Sequence, residues 1–243
     1  MSNPRVRIAP SPTGSPHIGT ARVALFNYLF AKHSGGTFII RIEDTDRERS
    51  KKKYEEEIFD GLRWLGLAAD ESSEVGGLYE PYRQTERSES YKIHLEKLFK
   101  DGNAFYCFHS KEELEQEKAA FLHEKKSPLH RCSYRTLDLP EALKLKNTKP
   151  ESIIRFKVPL GQTIIFTDMV RGELKFETDM LEDFSLARDS EAPLYNFAVT
   201  VDDCTMKISL FQGILIGVFG LGALIGLFVF ATYTGHNSGN NTI

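Results

Sequence analysis

Hydrophobic and polar positions follow two different periods in the first hundred residues. Apolar residues alternate with arginines over 5–8, which predicts a short strand, whereas those that follow Thr20 recur at helical spacing. A second apolar strand is predicted over 37–42, and further helices over 54–65 and about 85–100. Strands that alternate with helices favour a parallel sheet, which binds its ligands at the carboxyl ends of its strands.

The pattern changes after residue 103. A Lys/Glu-rich helical stretch over 111–126 precedes two strand-like segments, 153–158 and 163–167. Residues 185–203 are interpreted as a return into the first sheet. The fold class predicted from these patterns is α/β, with a region of different character inserted into it.

The last part of the chain has a third pattern. No Lys, Arg, Asp or Glu occurs over 208–243, and 213–231 is unbroken apolar or glycine sequence. A run of this length is sufficient to cross a bilayer core of about 30 Å as a helix. We therefore predict a membrane helix over 208–232 with a polar tail over 233–243. The alternative left open is a buried helix or strand pair of the core.

The junction at Met206 suggests where this third pattern originates. Met206, Lys207 and the apolar run after them are typical of an N-terminal signal anchor. The hypothesis is that two unrelated coding sequences are joined here, by a true fusion or by an assembly error. If the fusion is real, a cytoplasmic location is expected for residues 1–207, with single-pass membrane attachment through the helix.

Composition narrows the class of protein only slightly. The formal net charge of −3 and the pI near 6.2 do not indicate a nucleic-acid binder, although local basic patches on an acidic protein can still hold one. Three cysteines without dense spacing indicate a reducing compartment rather than a disulfide scaffold.

Candidate chemistry begins directly after the first predicted strand. A rigid Pro/Gly turn leads to His17 and Gly19, which open the first helix. Backbone N–H groups and the helix dipole favour an anion at such an N-terminus. Gly19 lets the backbone approach a ligand closely, and His17 can donate to a phosphate oxygen. Together these features predict a nucleotide site, although His17 considered alone is more simply a surface turn histidine.

This block resembles the signature of class I aminoacyl-tRNA synthetases, with residues 17–20 in the place of their HIGH tetrad. Residues 7–14, Arg-Ile-Ala-Pro-Ser-Pro-Thr-Gly, narrow the resemblance to the glutamyl and glutaminyl subgroup. It covers roughly residues 4–208. Four further blocks agree in order and spacing: 41–46, 82–87, 168–172 and 193–199 running to Asp202-Asp203.

The resemblance implies an incomplete Rossmann-type nucleotide-binding domain with an inserted α+β acceptor-binding subdomain. The first half would occupy 1–103, the insertion 104–184 and the return strand region 185–207. It also implies ATP-dependent ligation of glutamate to tRNA(Glu) through a glutamyl-adenylate. The expected partners are ATP with Mg²⁺, L-glutamate and tRNA(Glu), and the chain is expected to be a monomer.

Site residues follow from matching the family's motifs residue by residue. Arg7 offers a bidentate fork to the side-chain carboxylate of glutamate, and Glu43 offers a negative charge to its ammonium group. Two simpler readings stay open, an edge charge for Arg7 and a core aromatic for Tyr195. The implied residues are His17, Gly19 and Thr20 for catalysis; Pro10, Thr13, His17 and Gly19 for ATP; Arg7, Ala9, Ser11, Glu43 and Tyr195 for glutamate; and Asp44 for the tRNA acceptor end.

A second cluster lies where some relatives hold a zinc knuckle. Cys107 and His109 are followed by Cys132 and Tyr134, which together would form a Zn²⁺ site. Tyrosine is an unusual fourth ligand, because structural zinc prefers Cys and His. The incomplete ligand set favours the alternative of two buried thiols and a surface histidine.

The resemblance also raises an expectation about activity. After Ser209 the family continues with His-x-Ile-Arg-Gly and later a Lys-[Leu/Met]-Ser-Lys loop, and neither is found in this sequence. Because one lost charge-stabilising group typically costs about 10²–10³ in rate, the chain is expected to charge tRNA poorly. The alternatives are a membrane-tethered, catalytically inactive binding module, and a truncated paralogue that glutamylates a modified tRNA base.

Overall fold

The computed structural model describes residues 3–125, 129–168 and 172–209. These residues form two compact units, one made of 3–88 with 198–209 and the other of 89–197. The divisions at 88/89 and 197/198 differ from the boundaries expected after 103 and 184.

The first unit is a parallel sheet with the strand order β1-β2-β3, as the alternating pattern predicts. The register pairs Arg5 with Thr37 and Ile8 with Ile40, so β1 and β2 end at the same edge. The third strand is short and was not predicted, because two residues carry no period. The elements of this unit are β1 (Arg5–Ile8), α1 (Ile18–His33), β2 (Thr37–Ile40), α2 (Lys52–Trp64) and β3 (Glu71–Ser72).

Both helices bury residues against this sheet. Helix α1 buries only small or polar side chains, which lets it approach the strands closely, whereas α2 buries large ones. Helix α1 ends at His33 with Ser34 as its C-cap, and Gly35 follows with a φ of +64°, which favours glycine. The core is formed by Val6, Ile8, Ala24, Ala31, Phe38, Ile40, Ile42, Ile58, Phe59, Leu62 and Leu67.

The second unit is built around two antiparallel sheets, with strand orders β4-β5-β8 and β6-β7. The helix predicted at 111–126 and the strands predicted at 153–158 and 163–167 are confirmed with shifted ends. Helix α5 and strands β4, β7 and β8 were not predicted. The elements are α3 (Ser88–Lys100), β4 (Ala104–Cys107), α4 (Lys111–His123), α5 (Leu139–Thr148), β5 (Ile153–Phe156), β6 (Thr163–Asp168), β7 (Gly172–Glu177) and β8 (Ser185–Ala187).

Strand β8 corrects the interpretation of 185–203 as a return into the first sheet. It pairs with β5 through Ile154 and Ala187, and therefore belongs to the second unit. The return is made instead by a helix, α6 (Tyr195–Thr205). Its apolar residues, among them Phe197 and Val201, are buried.

The described chain ends inside the first unit. Met206 and Ile208 are buried against Ile39 and Tyr82, and the Ser209 N–H donates to the Arg5 carbonyl at 3.0 Å. Ile208 and Ser209, the first two residues of the predicted membrane helix, are not helical.

The rest of the predicted membrane helix and its polar tail lie outside the described residues. Within 3–125, 129–168 and 172–209, none of the helices is both long and apolar enough to span a membrane.

Candidate functional site

His17 caps the N-terminus of α1. Its Nδ1 accepts a hydrogen bond from the Gly19 backbone N–H at 3.1 Å, and its carbonyl accepts from Thr20 at 2.9 Å. Because Nδ1 is the acceptor, the neutral ring carries its proton on Nε2. The exposed imidazole therefore offers an N–H donor, which is the role predicted for it toward a phosphate.

Gly19 is required here for a reason that the sequence did not indicate. A Cβ at this position would lie 2.8 Å from Cε1 and 2.9 Å from Nδ1 of His17. The glycine therefore makes room for the capping ring of its neighbour. A side chain at this position would push the ring off the helix N-terminus.

A cleft opens at the carboxyl end of β1. It encloses about 220 Å³, less than the roughly 300–1,000 Å³ typical of ligand pockets. Five predicted site residues meet in this cleft, whereas Ser11 is exposed and Thr13 is half-buried in the same loop. The cleft is lined by Ile8, Ala9, Pro10, His17, Gly19, Thr20 and Val23.

Arg7 is paired within the chain. Its Nε donates to Asp203 Oδ1 at 2.9 Å and its Nη2 to Oδ2 at 2.7 Å, and its surface is 8% exposed. This is the bidentate geometry predicted for the substrate carboxylate. In this structure it is made with a carboxylate from α6.

Arg41 connects this pair to Glu43. It is completely buried, and it donates to Asp203 Oδ1 at 2.6 Å and to Glu43 Oε1 at 3.0 Å. Asp202, on the other side, accepts from Arg87 at 2.6 Å. We call this group the buried charge network; it consists of Arg7, Arg41, Arg87, Glu43, Asp202 and Asp203.

Protonation within the buried charge network is set by burial and by the paired charges. Burial by itself raises the pKa of Asp203, but the charges of Arg7 and Arg41 outweigh it and hold that pKa below its usual range. For Glu43 burial prevails over the same arginines, and its pKa is raised. Asp203 is therefore a fixed anion between two guanidinium groups.

Two other predicted site residues are Asp44, which is hydrogen-bonded within the first unit, and Tyr195, which lies in the second unit. Both carboxylate oxygens of Asp44 accept from Thr85, one from the backbone N–H at 2.9 Å and one from the hydroxyl at 2.6 Å. Asp44 is thus bound through Thr85 to the short 3₁₀ helix Gln84–Glu86. Tyr195 begins α6 in the second unit and is 59% exposed.

The second unit brings four metal-binding side chains together. Cys107 ends β4, and Cys132 precedes the 3₁₀ helix Ser133–Thr136. His109 and His130 lie beside them, and the four ligand atoms are all within 4.8 Å of one another. We call this group the Cys/His cluster.

Distances within the Cys/His cluster fit one zinc ion. His109 Nδ1 lies 3.4 Å from Cys107 Sγ and 3.5 Å from Cys132 Sγ, and His130 Nε2 lies 3.9 Å from Cys107 Sγ. Zn–S bonds of about 2.3 Å and Zn–N bonds of about 2.0 Å, at tetrahedral angles, place ligand atoms about 3.3–3.8 Å apart. A Cys₂His₂ donor set suits zinc in chemistry, and the three distances above lie close to these values, although the four ligand atoms together spread over up to 4.8 Å.

Tyr134, the fourth ligand predicted from sequence, makes other contacts in this structure. Its hydroxyl lies 3.4 Å from Lys149 Nζ, and its ring packs edge-on against His109 at 5.1 Å between centroids. His130, which sequence reasoning missed, supplies the fourth ligand atom. The signal was available, because His130 and Cys132 repeat the His/Cys spacing of Cys107 and His109 in reverse.

A hydrogen bond couples the two thiols. As donor, Cys132 lowers the pKa of Cys107 below its usual range, with a smaller contribution from His130. The same hydrogen bond, together with burial, raises the pKa of Cys132. Thiolate is the form that binds a metal, so the lowered pKa of Cys107 favours metal binding.

Comparisons with known proteins identify relatives of this chain. The chain is 51% identical over 212 residues to the glutamate–tRNA ligase of Halalkalibacterium halodurans, covering 86% of this chain and 43% of that protein. For the Bacillus subtilis glutamate–tRNA ligase the identity is 46% over 205 residues, covering 84% and 42%. The chain thus spans less than half the length of these relatives.

A crystal structure of a glutamate tRNA ligase from Elizabethkingia meningosepticum in complex with its amino acid superposes with a TM-score of 0.74. Its identity is 42%, over 85% of this chain and 43% of that one. Residues 4–211 match the family model described as tRNA synthetases class I (E and Q), catalytic domain. The chain therefore belongs to the class I tRNA synthetases of the E and Q group.

Proposed function

We propose that this chain supplies the ATP- and glutamate-binding part of a glutamate–tRNA ligase. In this reaction the α-carboxylate of glutamate attacks the α-phosphorus of ATP, and pyrophosphate leaves. The terminal ribose hydroxyl of tRNA(Glu) then attacks the acyl carbon, and AMP leaves. Magnesium arrives with ATP. No protein nucleophile takes part, so the residues act by positioning groups and stabilising charge.

The capped N-terminus of α1 is the observation that carries the proposal. His17 presents its Nε2–H at a cleft formed where β1 ends, and the positive end of a 16-residue helix lies beside it. An anion is stabilised at such a position by the helix dipole and by the imidazole donor. The phosphates of ATP are the anion that the family relationship supplies.

The buried charge network supports glutamate as the amino acid. Arg7 and Glu43 carry opposite charges and are joined through Arg41 and Asp203. Glutamate presents a side-chain carboxylate and an ammonium group, which require one cation and one anion at a fixed separation. A rigid network of this kind preorganises both charges before substrate arrives.

Binding of a stable adenylate mimic tests this proposal directly. Isothermal titration calorimetry of the full chain with glutamyl-sulfamoyl-adenosine is expected to give one site per chain. The glutaminyl analogue is expected to bind at least tenfold more weakly, because its amide carries no charge for Arg7. Equal binding of both analogues would contradict glutamate recognition, and the absence of binding would contradict the proposed function.

A matched pair of glycine variants locates the phosphate site. Gly19→Ala is expected to weaken binding of the glutamyl analogue about tenfold, because the new Cβ displaces the His17 ring. Gly14→Ala is the control, since a Cβ there meets nothing within 4 Å. Equal affinities of the two variants would show that His17 does not contact the ligand.

Transfer to tRNA separates a ligase from a binding module. Wild-type chain that forms [³H]glutamyl-tRNA(Glu) in the presence of ATP acts as a ligase. Adenylate-mimic binding without glutamylation of unmodified or modified tRNA(Glu) would favour the catalytically inactive binding module instead.

We also propose that the Cys/His cluster binds one structural Zn²⁺ through Cys107, His109, His130 and Cys132. The ion would hold the end of β4 against the segment before the 3₁₀ helix. Four protein ligands are typical of structural zinc, whereas catalytic sites keep a position open.

Metal content of purified protein tests the zinc proposal. Plasma mass spectrometry is expected to give one zinc per wild-type chain and well under one for Cys132→Ser. Cys204→Ser is the control, because Cys204 lies on α6, outside the Cys/His cluster. Wild-type protein purified and dialysed with zinc but holding none would overturn the proposal.

A further inference from the structure

Helix α4 is held to its unit by few interactions. None of its residues is buried, and its inner face consists of the half-buried Leu114, Glu117 and Phe121 at helical spacing. Within the described parts of the chain, Glu117 makes the only hydrogen bond from an α4 side chain to a residue beyond the helix and its cap. This one polar contact therefore has a large share in docking the helix.

The partner of Glu117 is a residue of the Cys/His cluster. His130 Nδ1 lies 2.5 Å from Glu117 Oε2, while Nε2 of the same ring faces Cys107 Sγ at 3.9 Å. One ring nitrogen thus faces the cluster and the other faces α4. A metal-bound histidine characteristically donates its second N–H to a carboxylate, which fixes the tautomer and orientation of the ring.

We propose that Glu117 is a positioning residue for the metal site, and that metal binding and docking of α4 are energetically linked through His130. A zinc ion on Nε2 would fix the proton on Nδ1, where it donates to Glu117. By reciprocity, a docked α4 raises zinc affinity and bound zinc stabilises the docked helix. The inference rests on the zinc binding proposed above.

Two measurements on the full chain test the linkage. Zinc affinity is obtained by competition with a chromophoric chelator, and amide hydrogen exchange of α4 peptides is followed with zinc alone and after chelation. For wild type, zinc is expected to slow exchange in α4. Glu117→Ala is expected to lower zinc affinity about 10–100-fold and to abolish this protection. Alanine is the best helix former, so faster exchange cannot come from lost helix propensity.

Two further variants complete the design. Glu117→Gln keeps an accepting oxygen without the charge, so an intermediate zinc affinity is expected. Glu115→Ala removes an exposed carboxylate from the same helix, and its zinc affinity and exchange are expected to match wild type.

Each outcome decides a separate point. A wild-type zinc affinity of Glu117→Ala would overturn the positioning role. If amide exchange in α4 of the wild-type chain is the same with and without zinc, the linkage is overturned. Wild type that holds no zinc would defeat the proposed metal site itself, and with it this inference.

Discussion

The two units each gather buried polar side chains, but they satisfy them in opposite ways. The buried charge network of the first unit matches three arginines against three carboxylates, and its internal distances fall between 2.6 and 3.5 Å. The Cys/His cluster of the second unit brings together two thiols and two imidazoles, whose donor atoms converge within 4.8 Å. The charges of the first group are paired with one another, whereas the second group has the composition of a set of metal ligands.

This difference determines whether each group needs a metal ion to be stable. Buried charges must be paired, and a network whose charges already balance needs no further ion to be stable. The sulfur and imidazole nitrogen atoms of the Cys/His cluster stabilise one another only weakly, yet all four atoms are good zinc ligands. We therefore expect the buried charge network to stabilise the first unit without metal. The Cys/His cluster is expected to stabilise the second unit only when a metal is bound.

The largest effect is expected from Asp203→Ala. Its removal leaves the guanidinium groups of Arg7 and Arg41 buried without their shared carboxylate. Breaking a buried pair of this kind typically costs about 3–5 kcal/mol. Urea unfolding followed by circular dichroism, with and without chelator, is expected to show this loss unchanged by metal.

Asp60→Ala is the matched control for this measurement. Its carboxylate pairs with Arg63 on the surface of α2 and is 75% exposed, so a change within about 0.5 kcal/mol is expected. A loss for Asp203→Ala as small as that of the control would show that the buried charge network is not what stabilises the first unit.

The ligand set of the Cys/His cluster is examined by His130→Ala beside Tyr134→Phe. The histidine variant is expected to weaken zinc binding at least hundredfold, or about 2.8 kcal/mol, because a metal-coordinating nitrogen is lost. The phenylalanine variant is expected to bind as wild type does, since the hydroxyl of Tyr134 lies toward Lys149. Chelator competition measures both, and the reverse order would restore tyrosine as the ligand.

Elements with a clear hydrophobic period could be predicted from sequence. Short strands that are fixed by pairing with distant strands could not. Strand β1, strand β2 and helix α2 carry enough apolar residues to define a period, and they lie close to where the pattern places them. Strand β3 has only two residues, and β8 has three. Their state is decided by pairing with distant strands, which leaves no local signal.

The sequence indicated several residues that line the cleft, but not the contacts around them. His17 caps α1 and lines the cleft, as its place before a helical run implies. The pairing of Arg7 with Asp203 spans 196 positions of sequence, so only the fold brings it about. His130 differs from this case, because its spacing from Cys132 mirrors that of Cys107 and His109 and could have been recognised from sequence.

The smallest effect is expected for another ion pair of the first unit, between Arg5 and Glu71. Arg5 donates to both oxygens of Glu71 at 2.8 Å, joining β1 to β3, and Tyr82 also donates to this carboxylate. The hydrogen bond from Arg5 is the largest influence on the pKa of Glu71, and with that from Tyr82 it outweighs burial and lowers the pKa. Glu71→Gln keeps the volume and one accepting oxygen, so a loss of about 1–2 kcal/mol at pH 7 is expected.

The pH dependence of this loss decides whether matched charge is its cause. As pH falls past 4.5, the ordinary value for glutamate, the unfolded chain takes up a proton at Glu71 before the folded chain does. The stabilisation by the carboxylate is therefore complete above that pH and is lost as pH falls toward the lower folded pKa. Urea unfolding between pH 7 and 3 is expected to bring wild type and Glu71→Gln together, while Glu74→Gln, an exposed neighbour, runs parallel to wild type. A Glu71→Gln curve that is also parallel to wild type would attribute the loss to packing, and the first unit would then depend less on paired charge than its geometry indicates.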